Sequence, residues 1–155
     1  MLYLKSIWSL DSRLPQFNCL EKDIKTKVCV IGAGLAGILT TYLLTQQGVE
    51  CVLIEANRIA SSVTPNTSAK ITCQHGLIYD KIIGKFSLEK AKQYAKANLE
   101  ALAMYHEIIN DKKIDCSFET IPTYLYTTES GNALDKELAA MEAVGLKGSL
   151  TTKTA

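Results

Sequence analysis

The stretch VCVIGAGLAGILTTYLLTQQGVECVLIE, from Val28 to Glu55, constrains the fold of this chain more than any other. It has no charged residue between Lys27 and Glu50, and three glycines, Gly32, Gly34 and Gly37, fall within six positions. A membrane-spanning helix needs about twenty apolar residues in one continuous helical pattern. Here the period changes at Gly32. The opening KVCVIG is a Val/Ile-rich run of the kind that forms a strand buried on both faces. After it, Leu35, Ile38, Leu39, Tyr42 and Leu43 recur at spacings of three and four, and Gly48 supplies a helix stop. VECVLIE then reads as a second strand ending on an acid. Strand, glycine turn, helix and strand make a right-handed βαβ unit with parallel strands, and this excludes the span.

Each glycine has a physical task in such a unit. Gly32 permits the tight turn out of the strand, Gly34 lets the backbone approach a pyrophosphate, and Gly37 lets the helix pack closely on the strand. The amides of Ala33, Leu35 and Ala36 lie in the same turn, where the helix N-terminus favours negative charge. Glu55 stands 18 residues past Gly37, where a carboxylate can accept hydrogen bonds from both hydroxyls of an adenosine ribose. A carboxylate there disfavours the 2'-phosphate of NADP. The motif alone leaves NAD and FAD both open.

Composition limits the partners. Apolar residues make up 47% and charged residues 21%, as in ordinary globular chains, so disorder is not expected. A net charge of +1 with scattered basic residues gives no footprint for nucleic acid or anionic lipid. The five cysteines are odd in number and form no CxxC pair, which predicts neither a disulfide framework nor a metal site but small buried hydrophobes in a reducing compartment. The N-terminal MLYLKSIWSLDSRLPQFNCLEKD lacks a sustained apolar region and a small-residue cleavage site, and a cytoplasmic protein is expected.

Beyond Glu55 the polar segment ANRIASSVTPNTSAKITCQHG reads as a long loop followed by a helix beginning near Thr67. Ser87 is a candidate N-cap, and Leu88, Ala91, Ala95, Leu99, Leu102 and Ile109 mark one face of a long helix. SFETIPTYLYTT is strand-like, ALDKELAAMEAVG is a helix stopped by Gly145, and LKGSLTTKTA is left unassigned.

These residues resemble the N-terminal region of FAD-dependent oxidoreductases of the D-amino acid oxidase type. The likeness covers SIW near the start, VCVIGAGLAGILTTYLL, VECVLIEANRIASSVTPNTSAKITCQHGLIY and the long helix up to IDCSFE. TSAKITCQHGLIY is most similar to a bacterial branch in which some members carry a C-terminal Rieske domain, and this chain has no such domain. The resemblance implies an α/β chain: a Rossmann-type FAD-binding region with the start of a second, α+β substrate domain. It implies a leader over 1–24, the FAD-binding region with the long helix over 25–112, and an incomplete substrate-side domain over 113–155. It further implies oxidation of a C–N bond in a small amine or amino acid by hydride transfer to the flavin. Glu55 would take the adenosine ribose, Ala56 and Arg58 would lie near the adenine end, and Thr64, Thr67 and Ala69 would line the pyrophosphate and flavin path. Family loops usually have glycine where this chain has Ser62 and Pro65. Some relatives attach FAD through a histidine near the place of Asn66, which cannot form that bond, so noncovalent FAD is expected. The flavin ring contacts and the substrate pocket would come from a missing C-terminal part of the same polypeptide, leaving this chain alone inactive.

No catalytic residue is identified. His75 reads as a hydrogen-bonded structural residue, since no partner acid or nucleophile accompanies it, and His106 reads as a packed histidine on the long helix. Lys70 is either a surface residue or a stabiliser of reduced flavin, and Tyr124 and Tyr126 alternate as core and sheet-face residues. The competing classes are a non-catalytic dinucleotide-binding fragment and an NAD-dependent dehydrogenase.

Overall fold

The computed structural model describes Ser6, Trp8 and residues 14–128 and 132–152, so most of the leader expected over 1–24 lies outside the described residues. Among those residues the chain is α/β, with one two-stranded parallel sheet and four α-helices. Strand β1 (Val28–Ile31) is followed by α1 (Leu35–Gln46) and β2 (Cys51–Ile54), the expected βαβ order. The strands pair in register from Val28↔Cys51 to Ile31↔Ile54. Residues in register share a face, and successive residues alternate faces. The Cys51 thiol reaches the Thr41 carbonyl, and Leu53 Cδ1 lies 3.5 Å from where a Cβ on Gly37 would be. Val28, Val30, Cys51 and Leu53 therefore face α1. Cys29 and Ile31 point the other way, and Ile31 is 81% exposed. The expected burial on both faces is thus corrected: among the described residues a helix packs on one face only, and the other leaves Cys29 and Ile31 exposed with Val52 and Ile54 half-buried.

Helix α1 ends because Gly48 adopts φ +68, so that the Val49 amide reaches the Leu44 carbonyl at 3.0 Å and the Gly48 amide reaches Thr45 at 3.0 Å. Its 12 residues span about 18 Å, well short of a bilayer core. No helix among the described residues is long and apolar enough to cross a membrane.

The chain packs as two compact units, Met1–Lys70 and Ile71–Ala155. In the second, α2 (Tyr79–Lys85) packs against α3 (Leu88–Lys112) and α4 (Ala133–Ala143). Its core is Tyr79, Ala95, Ala140 and Leu146, with Ile78, Ile83, Tyr94 and Met141 packed around them. Ser87 caps α3 as expected, its hydroxyl accepting from the Lys90 amide at 3.2 Å. On the predicted stripe of α3 only Ala91 and Ala95 are buried, whereas Leu88 and Leu99 stay exposed. Gly145, at φ +89, closes α4 as the sequence predicts, and the Leu146 amide reaches the Met141 carbonyl at 2.9 Å.

Three expectations fail. No helix begins near Thr67: the Thr67 hydroxyl accepts from the Ala69 amide at 3.2 Å, and Ala69 is left-handed at φ +56, which breaks a helix before its first turn. SFETIPTYLYTT joins no sheet among the described residues, because an extended segment becomes a strand only with a partner, and Pro122 lacks an amide donor. The cysteines are all free but none is buried; Cys19, Cys29 and Cys116 are exposed, Cys29 on the sheet face away from α1.

Candidate cofactor site

The glycine turn is built by sterics before any ligand is considered. Gly32 holds φ +98, a conformation side chains rarely adopt, and its amide closes onto the Ile54 carbonyl at 2.8 Å. A Cβ on Gly37 would collide with the Gly32 carbonyl oxygen and sit 3.0 Å from its carbon. The third glycine therefore lets the first turn of α1 lie against the end of β1. Gly34 is the N-cap of α1 with no side-chain capping bond, and a Cβ there would meet only the Thr64 hydroxyl at 3.5 Å. Its bareness is not demanded by the protein's own packing.

Glu55 follows β2 directly and turns back onto that turn. Its Oε2 accepts from the Ala33 amide at 2.8 Å, and its Oε1 accepts from the Asn57 amide at 3.0 Å. The amides of Asn57 and then Ala33 hold its carboxyl below the ordinary value of 4.5, with burial opposing them and the Ala56 amide helping. A carboxylate offers about four lone-pair sites. The Ala33 and Asn57 amides take one site on each oxygen, the Ala56 amide lies beside them, and the remaining capacity suits a ribose hydroxyl.

The loop after β2 closes over the same turn. The Ala60 amide donates to the Ala33 carbonyl at 2.8 Å, and Ala33 is buried. Thr64 opens a 3-10 turn (Thr64–Asn66), and its hydroxyl accepts from the Leu35 amide, the first of α1, at 3.1 Å. The next amides, of Ala36 and Gly37, have no partner within the helix by its geometry. Of the residues singled out in the sequence, the structure brings together Gly32, Ala33, Gly34, Leu35, Ala36, Gly37, Glu55 and Thr64. Ala56 and Arg58 continue from Glu55, with the Arg58 carbonyl taken by Ser61. Thr67 and Ala69 form the far end of the loop, where the Trp8 indole N–H donates to the Thr67 carbonyl at 2.9 Å. Trp8, Asn57 and Ala60 were not found as contributors from the sequence, since two of them act through the backbone and the third through a partner 59 residues away.

In the second unit the His75 Nδ1 is 2.9 Å from the Tyr94 hydroxyl, and the two rings meet edge to face, as do those of His106 and Phe118. Burial pushes the Tyr79 hydroxyl up to about 12, so it stays protonated and donates to the Cys73 carbonyl at 2.6 Å. Tyr124 and Tyr126 are exposed rather than core, Tyr124 lining a groove of about 570 Å³ with Leu134, Leu138 and Met141. Among the described residues no cluster of His, Cys, Asp or Glu could hold a metal ion.

A bare N-cap glycine, helix amides facing outward and a carboxylate with spare acceptor sites fit a dinucleotide with a ribose and a pyrophosphate. The sequence model of the FAD dependent oxidoreductase family (DAO) matches residues 27–155. The chain belongs to the FAD dependent oxidoreductase family. It is 39% identical over 132 residues to the "Putative Rieske 2Fe-2S iron-sulfur protein YhfW" of Bacillus subtilis (strain 168), covering 85% of this chain and 26% of that protein. It is 25% identical over 126 residues to the gamma-glutamylputrescine oxidoreductase of Escherichia coli (strain K12), covering 81% of this chain and 28% of that enzyme. The chain thus spans about a quarter of the length of the curated relatives it matches. No solved structure matches it.

Proposed function

We propose that this chain is the N-terminal FAD-binding portion of a flavin-dependent oxidoreductase that oxidises a C–N bond of an amine or amino acid. The observation that carries the reading is the meeting of Glu55 with the glycine turn, which sets a ribose-binding carboxylate beside the amides of a phosphate cradle. Gly34, Leu35, Ala36 and Gly37 would hold the pyrophosphate, and Glu55 the adenosine ribose. Ala56 and Arg58 would lie at the adenine end, with Thr64, Thr67 and Ala69 along the path to the flavin. The bound flavin would accept a hydride from the carbon beside the substrate nitrogen. The attachment is noncovalent: the Asn66 side-chain amide, which donates to the Ser62 carbonyl at 2.8 Å, has no nitrogen basic enough to bond a flavin. We place the substrate pocket on further segments of a longer polypeptide, and the five free thiols support a cytoplasmic setting.

An absorption spectrum and an FAD titration of the purified chain test the reading. Flavin bands that denaturation releases intact are expected, together with no anaerobic flavin reduction by a panel of amines and amino acids. A colourless chain that binds NAD would sink the proposal, and amine-dependent reduction by this chain alone would remove the need for further segments.

Glu55→Ala should weaken FAD binding by about tenfold to a hundredfold, the usual loss for charge-assisted hydrogen bonds. Because the folded carboxyl lies below 4.5, the hold of Glu55 on Ala33 and Asn57 is complete above that pH and is lost as pH falls through the folded value. FAD affinity should therefore be flat above pH 4.5 and fall below it, and a Glu55→Ala chain with parental affinity would remove the ribose role.

A further inference from the structure

The family match begins at residue 27, so Trp8 stands ahead of the matched domain, in the SIW stretch that shares the resemblance. It is nonetheless tied to the candidate site. The indole N–H donates to the Thr67 carbonyl, the Thr67 hydroxyl accepts from the Ala69 amide and lies 3.4 Å from the Thr64 carbonyl, and the Thr64 hydroxyl accepts from the Leu35 amide. A path of side-chain hydrogen bonds therefore runs from the N-terminal segment, across the loop, to the first amide of α1. The loop needs such a hold. It contains two non-glycine residues at positive φ, Ala60 at +50 and Ala69 at +56, and the short 3-10 turn is the one regular element within it.

Resting on the FAD reading above, we infer that Trp8 is a positioning residue of the cofactor site. Its N–H fastens the Thr67 carbonyl and so keeps Thr64 and Ala69 in register with the phosphate cradle. The residue acts on the cradle through the backbone of Thr67. This gives the segment before β1 a task in cofactor binding.

Trp8→Phe keeps a ring and removes the donor. Amide exchange followed by NMR in the cofactor-free chain should rise about threefold or more at Leu35 and Ala69. It should stay at the parental rate at Val28 and Gly32, whose amides donate to the Glu50 and Ile54 carbonyls. FAD affinity, read by flavin fluorescence, should fall by about threefold to tenfold, the effect of one hydrogen bond of ordinary strength. Unchanged exchange at Leu35 and Ala69, an equal rise at all four amides, or equal FAD affinity in the two proteins overturns the inference. Should Trp8→Phe fail to fold, replacing Trp8 by benzothienylalanine carries the same comparison, since it substitutes sulfur for the N–H and keeps the bicyclic shape. A parent chain that binds no FAD would defeat the proposed function, while the exchange pattern would still decide whether Trp8 orders the loop.

Discussion

Gly37→Ala will cost the first unit its glycine turn. The added carbon falls on the Gly32 carbonyl oxygen, a backbone atom that cannot rotate away, so β1 and α1 must separate. Overpacking usually costs about 1 to 3 kcal/mol, and an overlap between two main chains belongs at the upper end or beyond. A sheet of two strands is marginal on its own, so little remains to absorb the loss. Trp8, the sole tryptophan, sits in this unit, and its emission should report unfolding at a lower temperature. FAD binding should disappear. Gly34→Val is the informative contrast, because the first side-chain carbon there meets only the Thr64 hydroxyl, at an ordinary contact distance of 3.5 Å. That variant should keep a near-parental melt and still lose FAD. A Gly37→Ala chain with the parental melt and FAD titration would show that the close approach is not required.

The second large effect is expected at Glu137, which is 1% exposed and seated at the start of α2. Its Oε1 accepts from Gln74 Nε2 at 2.7 Å and from the Ile78 and Tyr79 amides at 3.0 Å, and its Oε2 accepts from the Asp80 amide at 3.0 Å. Glu137→Ala removes an acceptor from all four donors: the Gln74 side chain and the Ile78 amide keep the Gly76 carbonyl, while the Tyr79 and Asp80 amides lose the partner that caps the helix. With about 1 to 3 kcal/mol for each buried donor left unpaired, and partial relief by water at the edge, the loss should be roughly 3 to 5 kcal/mol. Glu137→Gln should cost less, since one oxygen still accepts, but it sets an NH₂ group against an N–H. Circular dichroism should show the helices melting earlier in the order Glu137→Ala, Glu137→Gln, parent, while Trp8 emission stays near its parental transition. Equal melting of parent and Glu137→Ala would mean that the cap contributes nothing.

What could be read from the sequence was what local spacing encodes. The Val/Ile run, the glycines at Gly32, Gly34 and Gly37, the three-four recurrence from Leu35 and the acid at Glu55 specify β1, α1, β2 and their turn without reference to the rest of the chain. Ser87 and Gly145 marked a helix start and a helix end for the same reason. The failures were of two kinds. At Thr67 a local competitor wins over the helix, a threonine that bonds its own backbone ahead of a left-handed alanine. At SFETIPTYLYTT the pattern was strand-like, but pairing depends on a partner that no local rule can supply. Glu137 was invisible because a single acid within ALDKELAAMEAVG reads as a solvent-facing residue, and its partners at Ile78 and Tyr79 lie 59 and 58 residues away. In the candidate site, the glycine turn with its amides and the acid at Glu55 were legible because they form one local motif, and the loop amides outside it, such as those of Asn57 and Ala60, were not.

In a sheet of two, every strand is a rim. β1 and β2 pair with each other along one side, and among the described residues no third strand pairs with the outer side of either, where main-chain amides and carbonyls can meet water or another strand. The sheet has, in that sense, a valence of two. Each strand is four residues long, so either vacancy offers a track of about 13 Å. That length admits a short strand, and it limits what can be added at either rim to a brief, register-bound contact.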